Sequence, residues 1–161
     1  ETGVDELKEP VSPGQHDLFA AQLEIATAYR RPVIVHAAKA FAALTEHETA
    51  LKKVKFSHHG FVKNRELLKF INKCGGYIGL GALFLKQEKA AEMWAMMPQD
   101  RILFETDAPY RVDETKYNEA VQENLRRLAE IAGEEPEALA ERLIKNAEDF
   151  LRTDNLQTDN L

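Results

Sequence analysis

The chain has 161 residues, 44% of them hydrophobic and 30% charged, with a net charge of −6. That suffices for one domain with a sizeable core, and the acidic balance argues against a broad basic surface for non-specific nucleic-acid binding, although bound divalent cations can still recruit a phosphate-bearing substrate. The single cysteine, Cys74, excludes an internal disulfide framework and a multi-thiolate metal site and is compatible with the cytoplasm, and no apolar run approaches the roughly 20 residues of a membrane span.

In chain order, ETGVD places Glu1 and Asp5 around Gly3 and reads as the tail of a strand. Ser12 then Pro13 signals a helix start, with Ser12 as N-cap and Pro13 in the first turn. From Gln15 to Arg30, Leu18, Phe19, Leu23, Ile25 and Ala26 form an apolar stripe of helical period. Pro32 stops that helix, and β-branched Val33-Ile34-Val35 reads as a buried strand ending in His36. A second helix is expected from about Lys39 to Lys52. The strand from Val54 to Ser57 ends in His58-His59-Gly60-Phe61. Asn64 can cap a third helix that carries Leu67, Leu68 and Ile71, closed by Gly75-Gly76.

Tyr77 to Leu80 is a short strand, followed by a helix from about Gln87 to Met97 with Pro98 just beyond it. RILFETDAPY follows: Ile102 to Phe104 is an apolar run that gives way directly to Glu105, Thr106 and Asp107. Two helices are expected after it, from about Thr115 to Ala132 and from Pro136 to Leu151. The repeated TDNL at 153–156 and 158–161 reads as a polar tail. Strands and helices alternate throughout with short connections, the pattern of a parallel α/β sheet with helical crossovers.

Three of the four strands from Val33 onward end in side chains able to hold a metal or move a proton: His36, then His58-His59, and, after Tyr77–Leu80, Glu105 and Asp107. In a parallel sheet these ends share one face, the carboxyl face where barrel and doubly wound folds place their chemistry. Glu1 and Asp5 join them if ETGVD is the tail of a preceding strand. Two imidazoles and two carboxylates suit a divalent cation such as Zn²⁺ or Mn²⁺, or Mg²⁺ with more oxygen ligation, and a bridging carboxylate allows two ions. Strand alternation sends His58 and His59 to opposite faces, so only one of them serves a shared site. His16 and His47 read as surface residues on helices, and Cys74 as a small buried residue at a helix end. Gly79 and Gly81 read as positions of close backbone approach beside the site. Lys39, Lys63, Arg65 and Arg111 each follow a site strand by a few residues and are candidates to meet substrate phosphates.

These motifs resemble those of the TatD family of metal-dependent deoxyribonucleases. ETGVD resembles its GE-x-G-x-D signature, and QHDLFAAQLEIATAYRRPVIVHAAKA resembles its Q-x-x-x-F-x-x-Q-L-x-x-A helix and following P-V-x-x-H strand. HGF at 59–61 resembles H-x-F, ETDAPY resembles E-T-D-x-P, and RLIKNAEDFL resembles the family's C-terminal ending. The resemblance implies a (β/α)₈ barrel of TIM type with a two-metal site at its carboxyl face. By position it makes Glu1 the bridging carboxylate at the end of the fourth strand, His36 and His59 ligands from the fifth and sixth, and Asp107 a ligand or general base from the eighth. Glu105, two residues earlier, would orient a ligand from behind.

On this reading residues 1–152 are the C-terminal half of the barrel, about strands 4/5 to 8, and 153–161 are a tail. The family's first-strand H-x-H pair does not occur in the chain, and HAAKA replaces the serine and arginine that many relatives carry after the histidine. A longer protein containing strands one to four, the missing half of the barrel, is therefore expected. The expected activity is hydrolysis of phosphodiester bonds in DNA or a small phosphodiester. The alternatives are hydrolysis of C–N or carboxylic ester bonds at the same site, and a non-enzymatic scaffold.

Overall fold

The computed structural model describes residues 1–7, 12, 14–110 and 112–153. Five strands, β1 (Thr2–Asp5), β2 (Val33–Ala38), β3 (Phe56–His58), β4 (Tyr77–Leu80) and β5 (Ile102–Phe104), pair side by side in chain order. All four pairings are parallel, so each connection must return the chain to the same end, and helices do so. They are α1 (Gln15–Ala28), α2 (Phe41–Glu46), α3 (Glu48–Leu51), α4 (Arg65–Lys73), α5 (Ala82–Leu85), α6 (Ala90–Trp94), α7 (Tyr117–Ala132) and α8 (Pro136–Leu151). Among the described residues no helix is long and apolar enough to cross a membrane.

The register sorts the strand residues onto two faces. Val4, Val35, Phe56, Ile78, Leu80 and Ile102 point to one side and are buried there in a core with Phe19, Leu23, Leu51, Leu68, Ile71, Leu128 and Leu139 of the helices. Gly3 pairs with His36, Ile34 with Ser57, and Gly79 with Leu103 on the other side. That second face holds the polar end of the sheet, and Ile34 is 43% exposed on it.

Several elements differ from the sequence reading for local reasons. The first helix starts with Gly14 as N-cap and no side-chain cap; Ser12 instead accepts from Gln15 N–H through its carbonyl in a turn, and Pro13 lies outside the described residues. Phe19, Leu23 and Ala26 form the buried stripe of α1, whereas Leu18 and Ile25 are exposed, about 100° round the helix from Phe19 and Ala26. The expected helix over 39–52 is two short ones broken at His47. There Thr45 Oγ1 donates back to Ala42 O at 2.7 Å, a bond that competes with helix propagation. Gln87 closes α5 by donating to Leu83 O instead of starting the next helix, so α6 begins at Ala90. His16 lies at the surface between Glu6 and Glu46, whereas His47, also expected there, is half-buried and packs edge-on against Phe19. The TDNL repeat falls almost wholly outside the described residues.

Two long-range devices hold the sheet to its helices. Gln15 accepts from Asp5 N–H through Oε1 at 2.8 Å and donates to Asp5 O through Nε2, while Gln22 bonds Thr2 at the other end of β1. The seven residues from Gln15 to Gln22 rise about 10.5 Å along a helix, and the three from Thr2 to Asp5 about 10 Å along a strand, so one helix face meets both ends of β1. At the other edge of the sheet, buried Asn146 of α8 donates to Gln99 O and Ile102 O at 2.9 and 3.0 Å, latching the start of β5. Asn64 caps α4 as read, accepting from Glu66 and Leu67 N–H. Cys74 ends α4 and is buried.

His58 pairs with Val35 and Ile78 and so faces the helices, where it is 4% exposed and neither ring nitrogen has a hydrogen-bond partner among the described residues. Desolvation, helped by the neighbouring His59, pushes its pKa down to about 4. The unfolded chain therefore binds a proton near pH 6.5 that the folded chain refuses. The resulting stability is fully present above pH 6.5 and is lost as pH falls towards 4, about 3 kcal/mol across that window. His58→Leu removes this contribution. Urea titrations at pH 7.5 and 4.5 should show the variant losing about 2–3 kcal/mol less than the wild type between the two; equal losses would mean that His58 is not held neutral.

Candidate metal centre

Glu1, His36 and His59 reach one point from three adjacent chain segments. His36 sits inside β2 at the position paired with Gly3, and His59 follows β3 by one residue, its N–H donating to Val35 O. Glu1 Oε1 lies 3.0 Å from His36 Nδ1 and 3.1 Å from His59 Nε2. The two ring nitrogens are themselves 3.0 Å apart, and the rings stack with centroids separated by 5.3 Å. Tetrahedral bonds of about 2.0–2.2 Å would set ligand atoms about 3.3–3.6 Å apart, so the triangle is near the size of one face of such a site.

Each imidazole is backed by a carboxylate on its far nitrogen. Asp5 Oδ2 lies 3.7 Å from His36 Nε2, and Glu105 Oε1 lies 3.6 Å from His59 Nδ1. With protons on Nε2 of His36 and Nδ1 of His59, both remaining lone pairs would face Glu1, the arrangement that orients histidine ligands in metal sites. In that tautomeric arrangement two lone pairs and a carboxylate oxygen converge, a donor set that suits a divalent ion. Glu1, His36 and His59 can hold one: their ligand atoms all lie within 4.8 Å of one another. Glu105 raises the His59 pKa above its ordinary value, with Glu1 and Asp107 adding to the field.

Gly3 and Gly79 make this packing possible. Gly3 has φ of +149°, and a Cβ there would overlap the backbone of His36. A Cβ on Gly79 would overlap the Glu105 carboxylate and come within 3.0 Å of His59 Cα. The space beside β4 is thus filled by the Glu105 side chain, which accepts from Gly60 N–H at 2.6 Å, while Gly81 meets the Glu105 backbone.

Asp107 lines the same hollow of about 350 Å³ as His36, His59 and Glu105, but its carboxylate is outside the three-atom cluster. Its φ of +58° is the left-handed region, which aspartate tolerates better than most residues, and Tyr110 N–H donates to its carbonyl. The four basic candidates divide. Lys63 and Arg65 line a neighbouring cleft, Lys39 lines a different hollow with Asn64 and Leu67, and Arg111 lies outside the described residues. Asp5 was legible only as a companion of Glu1; the signal for its place behind His36 is the period-two spacing Glu1-Gly3-Asp5, which sends all three to one face.

Gly79→Ala should destabilise the fold by about 1–3 kcal/mol, because the added methyl must displace a hydrogen-bonded carboxylate. In a double-mutant cycle by urea denaturation, Glu105→Ala should recover part of that loss; strict additivity would show that the two residues do not compete for the space.

Residues 1–152 match the family described as TatD related DNase. The chain is 31% identical over 169 residues to the 3'-5' ssDNA/RNA exonuclease TatD of Erwinia billingiae, covering 94% of this chain and 64% of that protein. It is 30% identical over 96 residues to the deoxyribonuclease Tat-D of Schizosaccharomyces pombe, covering 57% of this chain and 30% of that one. The crystal structure of YJJV, a TatD homologue from Escherichia coli, superposes with a TM-score of 0.79 at 24% identity, over 94% of this chain and 62% of that one. The chain thus spans somewhat under two thirds of the Erwinia relative and of the Escherichia structure, and the parallel five-stranded α/β sheet is common ground with a TIM-barrel-like fold. With its family match running from Glu1 to Arg152, the chain belongs to the TatD-related DNase family.

Proposed function

We propose that this chain bears the working face of a divalent-metal-dependent hydrolase of phosphodiester bonds in nucleic acid, DNA above all. The observation that carries this reading is the meeting of Glu1 Oε1, His36 Nδ1 and His59 Nε2 about 3 Å apart, each histidine backed by a carboxylate. The Erwinia relative is named as an exonuclease of single-stranded DNA and RNA, which favours a phosphodiester over a C–N or carboxylic ester bond.

Glu1, His36 and His59 would be metal ligands, with Glu1 bridging two ions of Zn²⁺, Mg²⁺ or Mn²⁺. Asp107 would be a further ligand or the general base, and Glu105 and Asp5 would hold the two imidazoles in orientation. Divalent ions bound there supply positive charge to the phosphoryl oxygens and favour ionisation of water. This chain's own residues then do three things. Asp5 and Glu105, facing the outer ring nitrogens, turn both imidazoles towards the site. Asp107 accepts the proton shed by the attacking water. Lys63 and Arg65 offer charge to neighbouring phosphates.

We also infer that the five strands are strands four to eight of a (β/α)₈ wall and that residues 1–152 form one unit of it. Support comes from the sequential all-parallel order, from Ile34 exposed on the face opposite the helices, and from the 62% share of the Escherichia structure that the chain covers. The family's H-x-H pair would complete the ligand set from the first strand. The lone buried cysteine suits a reducing cytoplasm.

Asp107→Asn in the complete protein should lower cleavage of an oligonucleotide by about 10²–10⁴-fold, the usual worth of a general base, with an unchanged circular dichroism spectrum. His36→Asn should in addition lower the bound divalent metal measured by elemental analysis. Full activity and full metal content in both variants would sink the assignment. A cyclic amide cleaved in preference to both an oligonucleotide and an aryl phosphodiester would move the reading to amide hydrolysis.

A further inference from the structure

The loops after β3 and β4 each line two hollows in succession. Gly60, Val62, Gly81 and Leu83 line the metal hollow. One residue on from Val62 and three on from Leu83, Lys63 and Lys86 line a second cleft of about 490 Å³, together with Arg65 and Lys89. The two hollows are therefore neighbours at the same end of the sheet. Four cations line the second against one carboxylate, Glu88, in a chain whose net charge is −6. All four cationic side chains are exposed. Glu92 draws on two of them, 3.5 Å from Arg65 Nη2 and 3.9 Å from Lys89 Nζ. Lys63 and Lys86 make no ion pair among the described residues.

Gathering four cations costs self-repulsion, and an acidic chain has carboxylates enough to disperse it. A polyanion relieves that repulsion, and release of its condensed counterions adds a favourable term. A hollow of this volume is of the size that takes a small ligand, which is room for a nucleotide or two of one strand. We propose that the cleft of Lys63, Arg65, Lys86 and Lys89 is a second binding site, which grips backbone phosphates of a single-stranded nucleic acid flanking the bond held at the metal centre. This rests on the phosphodiesterase reading for its choice of strand, and it adds Lys86, Lys89 and a defined path to that reading. The strand runs from the metal hollow over Val62 and Leu83 into the basic cleft, so affinity grows with strand length.

Binding of a ten-nucleotide oligothymidylate, followed by fluorescence anisotropy in EDTA over a range of salt, tests this without any chemistry. The double variant Lys86→Ala/Lys89→Ala should weaken the decamer about tenfold and reduce the slope of log affinity against log salt by about 1.4, that is about 0.7 for each phosphate no longer neutralised. A dinucleotide should be weakened less than twofold. Glu92→Gln, which releases Arg65 and Lys89, should tighten the decamer at least twofold. Lys53→Ala/Lys145→Ala, the same charge loss on residues outside both hollows, should change it less than twofold.

Unchanged decamer affinity and slope in the Lys86/Lys89 variant, or losses no larger than in the Lys53/Lys145 control, would overturn the proposal. So would anything but tightening by Glu92→Gln, or inorganic phosphate competing as well as the decamer does. Absence of hydrolysis by the metal-loaded wild type would overturn the enzymatic reading and leave these binding results standing.

Discussion

A slip of one residue between β1 and β2 would carry His36 from the polar face of the sheet to the helix-covered one, and Val35 the other way. The site depends on that register, because its three converging atoms come from adjacent segments with no loop to correct an error. The register is secured from both sides. Under the helices, Val4, Val35, Phe56 and Ile78 fill a closed core. On the open face, Gly3 lets β1 come against the His36 backbone more closely than any side chain would allow. Burial on one side and the lack of a Cβ on the other thus fix the same alignment.

The adjacent histidines show how much one step of a strand decides. His58 has no partner for either nitrogen among the described residues and is kept neutral by burial, so it acts as a flat, uncharged filler beneath the helices. His59, one residue on, meets Glu105 and Glu1 and is drawn towards the protonated state. The same side chain is an apolar spacer on one face and a potential ligand on the other. The difference comes from the carboxylates that share the face, not from the imidazole itself.

Tyr77–Leu80 and Ile102–Phe104 are legible to the residue as short apolar runs, whereas β3, Phe56–His58, is too polar for its apolar period to give its bounds and lies two residues on from the start expected at Val54. Their ends were legible as chemistry because polar residues recur where the apolar runs stop. Helices between strands were less so. Thr45 bonding back to Ala42 and Gln87 closing α5 are local events that an apolar period does not register. Pairings distant in sequence were invisible in principle. Nothing local to Asn146 says that its amide will hold the carbonyls of Gln99 and Ile102, and Gly79 reads as a place of close approach beside the site without saying that Glu105 fills it. Lys39, with φ of +55°, lines a hollow that shares Ala37 with the metal hollow.

Gln15 and Gln22 clasp β1 at Asp5 and Thr2 across two turns of α1. A helix and a strand advance by different increments per residue, so the match holds for this pair of lengths and fails for its neighbours. Adding or deleting one residue between the two glutamines would turn one of them about 100° away from the sheet and leave the other in place. The first two turns of α1 act as a gauge for the strand beside them. This stretch should tolerate substitutions at its exposed positions, Leu18 among them, far better than any change in its length.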